Sequence, residues 1–196
     1  MWKKIVSDEK FNGRQFLKFE DIEIREIGLL DLQEIWELDR LCFSAAIVFS
    51  QRLISDLIIN PRVIGLNFSY KSKIIAFVFV VLKSNDNRKI SIASSRKVIA
   101  EIISLNVHPQ YRRIGLGRRL LRFAHASVVV WGAFECLLNV SSDNKIALHL
   151  YFTEGYKISK EVSSYYSLGK NAYQMIRSFP VCSRQISWKN NYLPKI

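Results

Sequence analysis

The most constraining stretch of this chain runs from an apolar strand, through a basic turn with two glycines, into an amphipathic helix. Residues 102–107 are mostly apolar, and His108-Pro109 follows, where proline cannot donate to a sheet ladder. Beyond the turn, apolar residues at three- and four-residue spacing predict a helix that contains Leu116, Leu120, Leu121, Ala124 and Val128. Gly115 and Gly117 lie where that helix begins. Because glycine is unfavourable in helices, two in one first turn indicate that a ligand approaches the backbone closely.

The expected ligand of this turn is an anion, most simply a phosphate. A helix N-terminus offers unpaired N–H groups and the positive end of the helix dipole. Positive side chains surround the same point, namely Arg112, Arg113, Arg118 and Arg119. Two familiar phosphate motifs are excluded. A Walker loop needs Lys-Ser/Thr after the second glycine, and the dinucleotide fingerprint needs a third glycine where Leu120 stands.

Two motifs resemble those of a known enzyme family. Residues 112–117 match Arg/Gln-x-x-Gly-x-Gly/Ala, the pyrophosphate-binding motif of the GNAT superfamily of acetyl-coenzyme A-dependent N-acetyltransferases. Residues 138–151, followed by Gly155-Tyr156, are similar to its second half: strand, asparagine, short helix with a tyrosine, then Gly-Phe/Tyr. This second match is especially similar to the branch that acetylates protein N-termini, which includes the ribosomal-protein alanine N-acetyltransferases. The order of elements extends the likeness to residues 21–178.

Periodicity along the chain predicts an α/β fold. The elements are a strand, two helices, three strands, a helix, a strand, a helix and two strands, the last two at residues 156–159 and 172–178. Asp31 and Glu34 suggest a capping box for the first helix, and Ser50 a cap for the second. The resemblance implies a GNAT-like mixed, mostly antiparallel central sheet flanked by about four helices. We expect an N-terminal extension over residues 1–20, an acetyltransferase domain over 21–179 and a basic tail over 180–196.

Composition predicts a cytoplasmic protein. The longest apolar run, residues 74–82, is far too short to span a membrane, and the N-terminus lacks a signal-peptide pattern. Three scattered cysteines fit reduced thiols and show no metal-ligand spacing. The net charge of +12 is spread along the chain as on a solvated surface, without a nucleic-acid-binding motif. The same charge would also favour encounters with an acidic partner such as a ribosome.

The resemblance implies that acetyl-coenzyme A binds along the central strand and the glycine turn, without a metal. Leu105, Asn106 and Val107 would bind the pantetheine arm through their main chains, and the Val107 N–H would stabilise the oxyanion. The pyrophosphate would contact Arg112, Arg113, Ile114, Gly115, Leu116, Gly117 and Arg118. The alternative is an ordinary helix start with solvated arginines. Asn144 matches an asparagine that bonds the pantetheine, and it would also cap its helix.

The resemblance further implies direct attack of a neutral amine on the thioester, through a tetrahedral intermediate in a ternary complex. Tyr151 matches the tyrosine that protonates the departing sulfur, and a phenol with a pKa of about 10 suits a thiolate of about 8.5. Its alternative role is core packing. Glu101 is the candidate base because it is the only carboxylate within an apolar strand, and it would act directly or through a water. Some relatives have a charged or imidazole residue where this chain has Asn139. His108 is the second candidate for the base.

The acceptor most consistent with this branch is the α-amine of a protein N-terminus. In the family, the loop between the first two helices lines the acceptor groove, which makes Phe43 and Phe49 candidate contacts, with core packing as the alternative. Tyr165 and Tyr166 in the closing hairpin would grip the first peptide groups of the acceptor. Two other functions remain open. One is acetylation of a small amine such as a polyamine or aminoglycoside, and the other is a non-catalytic regulatory module that binds acetyl-coenzyme A.

Overall fold

The computed structural model describes residues 17–43, 48–84, 98–166 and 169–180. Within them the chain forms seven β-strands and four α-helices. The strands are β1 (Ile22–Glu26), β2 (Val63–Tyr70), β3 (Lys73–Ser84), β4 (Val98–Val107), β5 (Ala133–Ser141), β6 (Lys157–Tyr166) and β7 (Lys170–Ser178). The helices are α1 (Leu32–Cys42), α2 (Gln51–Ile59), α3 (Leu116–Val130) and α4 (Lys145–Thr153).

All seven strands belong to one sheet with the order β1-β2-β3-β4-β5-β7-β6. The pair β4–β5 is parallel and the other five pairs of this sheet are antiparallel. The prediction of a mixed, mostly antiparallel sheet with four helices is therefore confirmed. The parallel pair is the consequence of the crossover through α3, since parallel neighbours cannot be joined by a tight hairpin. Its carboxyl ends lie at the same edge of the sheet, which is where the glycine turn begins.

Helices cover both faces of the sheet and define two apolar clusters. Helix α3 places Leu116, Leu120 and Leu121 on one face, together with Tyr151 of α4. Helices α1 and α2 cover the other face over Phe77 and Phe79. Strand β3 is buried on both faces over residues 74–80, as its continuous apolar run predicts. Each of the fully buried leucines contributes about 1.5–3 kcal/mol, which fixes α3 and its N-terminus against the sheet.

A bulge in the β3–β4 ladder changes which face of the sheet each β4 residue points to. The register shifts between Phe79 and Val80, which pair with Ser104 and Ile102. Before the bulge, Ile102 faces the α3 cluster; after it, Asn106 faces α1 and Leu105 packs with the α3 cluster. A one-residue insertion has this effect because side chains alternate between faces with a period of two.

Three sequence-based expectations about the fold need correction or limits. The first strand of the closing hairpin extends from Lys157 to Tyr166, well beyond the predicted residues 156–159. It is the edge strand of the sheet, and residues 157–165 are exposed except for the half-buried Val162, so no apolar alternation marks its length. Asp31 does not cap α1 through its side chain, which instead accepts two hydrogen bonds of 2.7 Å from Arg25. Residues 1–16 and 181–196, most of the expected extension and tail, lie outside the described residues.

Candidate active site

A cleft opens where β4 and β5 separate. Their parallel ladder ends at the pair Ile102–Leu138, while β4 continues to Val107 and β5 to Ser141. Within the described residues, the last four residues of β4, 104–107, therefore pair with β3 on one side only. The other edge presents main-chain N–H and C=O groups to the space between the strands. An extended ligand can bind there as a substitute strand.

The direction of the main chain along this free edge follows from one hydrogen bond. The His108 N–H donates to the Ile75 carbonyl of β3 at 2.9 Å. Because main-chain groups alternate in direction along an antiparallel ladder, Asn106 also bonds towards β3, whereas Leu105 and Val107 point into the cleft. The Val107 carbonyl already accepts from Arg112 Nε at 2.9 Å and from Cys42 Sγ at 3.4 Å. The Val107 N–H points in the same direction as that carbonyl.

The N-terminus of α3 lies immediately beyond the end of β4 and has the geometry of an anion site. Gly115 is its N-cap residue with φ of +88°, a left-handed conformation that suits glycine, and Arg113 is also left-handed with φ of +69°. Gly115 offers no capping side chain, and the first turn of α3 contains no acidic residue. A Cβ at Gly117 would lie 3.5 Å from Val107 Cγ2 and 3.7 Å from Leu150 Cδ2, which are ordinary contacts. The fold itself thus gives no reason for glycine at position 117.

The arginines near this turn divide into two groups. Arg118 donates to Thr153 Oγ1 at 3.0 Å and pairs with Glu154 at 3.2 Å, so it links α3 to the end of α4. The Arg119 guanidinium stacks on the ring of Phe19 at 3.7 Å, which anchors the segment before β1. Arg112 and Arg113 are the two that stay beside the turn itself, and Arg112 fixes it to the end of β4. Two of the four arginines predicted to surround the phosphate, Arg118 and Arg119, therefore make contacts that stabilise the fold.

Glu101 lies at the end of the paired part of β4, on the α1 side of the sheet. It pairs with Leu137 in the parallel ladder, one step before the strands separate. Its carboxylate forms a salt bridge with Lys83, and Asn139 Nδ2 lies 3.5 Å from Glu101 Oε1. Glu101 is thus not isolated among apolar groups as the sequence suggested. The Glu101 side chain is 16% exposed and that of Lys83 58%, so the pair is open to solvent from the lysine side.

Tyr151 approaches the sheet from the opposite face. It is 8% exposed within the α3 cluster, and its ring packs edge-on against Tyr156 with centroids 5.6 Å apart. Asn144 caps α4, since its side-chain oxygen accepts the Ala147 N–H at 3.1 Å. Tyr151 and Glu101 therefore flank the separated strands from two sides. His108 caps the turn after β4 by accepting the Gln110 N–H at 3.3 Å, and burial together with Arg112 lowers its pKa.

A buried polar network holds Tyr156, whose ring packs against Tyr151. Arg177 Nη1 lies 2.9 Å from His125 Nδ1, and His125 Nε2 lies 2.8 Å from the Tyr156 hydroxyl. Because arginine can only donate, Nδ1 must be the acceptor and Nε2 carries the proton. Burial and the neighbouring Arg177 and Arg122 lower the pKa of His125 to about 3, which keeps it neutral. Nothing in the sequence pattern marks His125, since its spacing on α3 is that of an ordinary core position.

The candidate acceptor residues lie at the same end of the sheet as the cleft. Ala172 of β7 pairs with Ser141 at the end of β5, so the β6–β7 hairpin closes here, and Tyr165 is 48% exposed near its tip. Tyr166 is the last residue of β6. On the other side, Phe43 follows α1 and Phe49 precedes α2, where its ring packs partly buried on the α1–α2 cluster. The connection between them, residues 44–47, lies outside the described residues.

One buried carboxylate in this region was missed by sequence reasoning. Asp39 is 0% exposed, and its side chain accepts the Phe49 N–H and Asn106 Nδ2, both at 2.8 Å. Burial raises the pKa of Asp39, and the two hydrogen bonds oppose that rise. The available signal was its helical spacing, because Asp39 falls one turn after Ile35 on the buried stripe of α1, where an acidic side chain is unusual.

Comparison with known proteins now decides the family. The model of the acetyltransferase (GNAT) family matches residues 32–156, more than half of the chain. The chain belongs to the GNAT acetyltransferase family. This GNAT protein also resembles the N-alpha-acetyltransferase of Sulfurisphaera tokodaii, with 39% identity over 75 residues, which cover 38% of this chain and 45% of the relative. It is 34% identical over 96 residues to ard1, the catalytic subunit of the N-terminal acetyltransferase A complex of Schizosaccharomyces pombe, covering 48% and 54%. The chain thus spans about half the length of these curated relatives.

Solved structures agree on the fold. The ribosomal-protein-S18-alanine N-acetyltransferase of Escherichia coli superposes with a TM-score of 0.67 at 19% identity, covering 88% of this chain and 99% of that one. Naa50 of Arabidopsis thaliana, in complex with the bisubstrate analogue CoA-Ac-MVNAL, superposes with a TM-score of 0.68 at 18% identity, covering 81% and 99%. At this level of identity the likeness concerns the arrangement of the elements. Within the described residues of this GNAT protein, no helix has the length and apolar character to cross a bilayer, and no cluster of three metal-ligating side chains occurs.

Proposed function

We propose that this protein is a cytoplasmic N-acetyltransferase that moves an acetyl group from acetyl-coenzyme A to the α-amine of a protein N-terminus. The observation that carries the proposal is the cleft between β4 and β5, which ends at the uncapped N-terminus of α3. Membership of the GNAT family supports the acetyl transfer. The α-amine is supported by the relatives, which are named as N-alpha- and N-terminal acetyltransferases.

The residues present fit acetyl-coenzyme A. The free edge of β4 offers Leu105 and Val107 main-chain groups to the amides of the pantetheine arm. The first turn of α3 offers N–H groups to the pyrophosphate, and the missing side chain at Gly117 leaves room for it. Arg112 and Arg113 add positive charge beside the turn. Asn106 contributes differently from the sequence-based expectation, since its main chain bonds towards β3 and its side chain to Asp39.

When bound, acetyl-coenzyme A supplies an activated acetyl thioester. The chain's own part begins with the Val107 N–H, which points into the cleft and would donate to the acetyl oxygen as that oxygen becomes negative. Arg112 and Cys42 hold the neighbouring Val107 carbonyl, so the direction of this N–H is fixed before the substrate arrives. A donor that is already oriented avoids the cost of reorganising during the reaction.

Proton transfer is assigned to Tyr151 and Glu101. Tyr151 donates the proton that the departing thiolate takes up, and the Tyr156 ring restricts where its hydroxyl can lie. Glu101 accepts the proton of the attacking amine, directly or through one water. The Lys83 ammonium and Asn139 Nδ2 both contact this carboxylate and restrict its orientation. An α-amine has a pKa of about 8, well below the value of about 10.4 for lysine, so a single carboxylate is enough for it.

The acceptor would enter between the end of α1 and the end of β6. Phe43 and Phe49 border this entrance on one side, and Tyr165 and Tyr166 end β6 on the other. Tyrosine side chains suit this position because they combine a rigid apolar ring with a hydroxyl that can bond a peptide group. The net charge of +12 favours encounter with acidic acceptors, including a ribosome, over cationic polyamines.

The proposal is tested by following thiol release from acetyl-coenzyme A with three acceptor sets. These are peptides with a free α-amine, the same peptides with that amine blocked but with lysine present, and polyamines. Free α-amines should be acetylated much faster than the other two sets. Faster turnover of polyamines or lysine would leave the fold intact and exclude the N-terminal acceptor. Binding of acetyl-coenzyme A with no turnover of any amine would instead favour a non-catalytic module.

A further inference from the structure

Asp39 joins three separate parts of the molecule through one residue. Its Oδ2 accepts the Phe49 N–H and its Oδ1 accepts Asn106 Nδ2, each at 2.8 Å. Its main-chain carbonyl accepts the Phe43 N–H at 3.0 Å. The Phe43 bond is the ordinary main-chain bond at the end of α1, so the carboxylate itself ties only Phe49 to Asn106 and the central strand β4.

Packing alone gives no reason for a carboxyl group at this place. The adjacent positions of the same buried stripe are the apolar Ile35 and Leu38, and Asp39 itself is completely buried. A buried carboxyl group is costly unless hydrogen bonds replace its hydration. Within the described residues, both hydrogen bonds to its side chain come from parts of the acceptor and cofactor regions. What the carboxylate contributes is the relative position of those parts.

The two bonded parts depend on Asp39 to different degrees. Asn106 lies in β4, whose main chain pairs with β3 from residue 98 to 107, so this strand stays in place without Asp39. Phe49 lies before the first residue of α2, outside any strand or helix, and its N–H is held by the Asp39 carboxylate. Loss of the carboxylate should therefore release the Phe49 side of the acceptor entrance and leave the cofactor strand unchanged.

We infer that Asp39 is a positioning residue whose carboxylate fixes Phe49 relative to β4 and thereby sets the affinity for the acceptor peptide. The inference rests on the proposed function, because it takes Phe49 as an acceptor contact. Asp39 touches neither substrate. Its effect should appear in the KM for the peptide and be absent from the binding of acetyl-coenzyme A.

Two variants test this with little change in shape. In Asp39→Asn, the amide at position 39 has one oxygen for two donors, and its NH2 group faces one of them. The double variant Asp39→Asn with Asn106→Asp reverses the pair, so that the amide at position 39 can accept from Phe49 and donate to the carboxylate at position 106. We expect the single variant to raise the peptide KM about tenfold, as for one lost hydrogen bond to a charged group. The double variant should recover most of that loss. Glu37→Gln, the same chemical change on the exposed face of α1, is the control.

The comparison of both substrates decides between positioning and simple core stability. The inference requires the dissociation constant for acetyl-coenzyme A to stay within about twofold in Asp39→Asn while the peptide KM rises. An unchanged peptide KM would overturn it. So would a joint loss of both affinities together with a lower melting temperature, since Asp39 would then serve only the core.

A second readout needs no activity. Hydrogen–deuterium exchange should become faster at the Phe49 amide in Asp39→Asn, while amides of β4 keep their protection. If the wild-type protein acetylates no amine, the proposed function fails, but this measurement still decides the role of Asp39. Equal exchange at the Phe49 amide in the wild type and in Asp39→Asn would then show that Asp39 does not fix Phe49. Faster exchange in the variant, confined to the residues around Phe49, would support the inference.

Discussion

Gly117→Ala tests whether the glycine at the start of α3 is needed for stability of the fold or for binding of acetyl-coenzyme A. The added methyl group would lie 3.5 Å from Val107 Cγ2 and 3.7 Å from Leu150 Cδ2, so the protein can accommodate it without movement. Alanine is favoured over glycine in helices by up to about 1 kcal/mol, so the variant should be as stable as the wild type or slightly more stable. If the pyrophosphate rests on this turn, the same methyl group occupies the space of its oxygens. Losing one hydrogen bond to a charged group costs roughly 1.5–3 kcal/mol, which corresponds to a 10- to 100-fold weaker affinity.

The assay combines calorimetric titration with acetyl-coenzyme A and thermal unfolding. Gly28→Ala is the control, because a Cβ there meets nothing within 4 Å and Gly28 follows the edge strand β1, three strands away from β4. Gly115→Ala should behave differently from both, since φ of +88° strains any side chain and should lower stability by about 1 kcal/mol. Unchanged affinity in a folded Gly117→Ala, and in the larger Gly117→Glu, would mean that the cofactor binds elsewhere.

Three further predictions concern proton transfer and stability. Tyr151→Phe should lower kcat by roughly 10²–10⁴-fold with nearly unchanged affinity for acetyl-coenzyme A. A loss below about threefold, or an equal loss in Tyr70→Phe, would leave Tyr151 a packing residue. Glu101→Gln should lose most activity at low pH and recover partly as the amine itself becomes neutral, and a pH-independent loss would argue against its role as base. Since the pKa of His125 is about 3 against an ordinary 6.5, the unfolded chain binds the proton first as pH falls. Chemical denaturation should show stability decreasing from pH 6.5 towards 3, by at most about 5 kcal/mol, and this decrease should be much smaller in His125→Gln.

The sequence predicts those parts of the fold whose periodicity reflects burial. Strand β4 contains the mostly apolar residues 102–107 that the sequence predicts as a strand, because a strand in the centre of a sheet must be largely apolar. Ser50 caps α2 as predicted, since its side chain accepts the Leu53 N–H at 3.1 Å. The glycine turn can also be predicted from the sequence, because a left-handed position such as residue 115 favours glycine. Local chemistry fixes all three of these features.

Features that depend on distant residues are not readable in this way. Asp31 has the spacing of a capping residue, yet its carboxylate accepts two hydrogen bonds from Arg25 of β1. Glu34, its expected partner, accepts the Ile74 N–H at 2.7 Å instead. Glu101 has only uncharged neighbours along its own strand, and the β3–β4 pairing brings Lys83 to it. In each case a neighbour from another strand supplies the deciding contact.

The most direct test of the central claim uses one peptide that carries both a free α-amine and a lysine side chain. The peptide is incubated with the protein and acetyl-coenzyme A, and fragmentation mass spectrometry locates the added acetyl group. The account predicts acetylation of the α-amine, loss of that product in Tyr151→Phe, and no acetyl-lysine above the level without protein. Acetyl-lysine as the main product would contradict the proposed acceptor, and no acetylation with acetyl-coenzyme A bound would contradict the proposed chemistry.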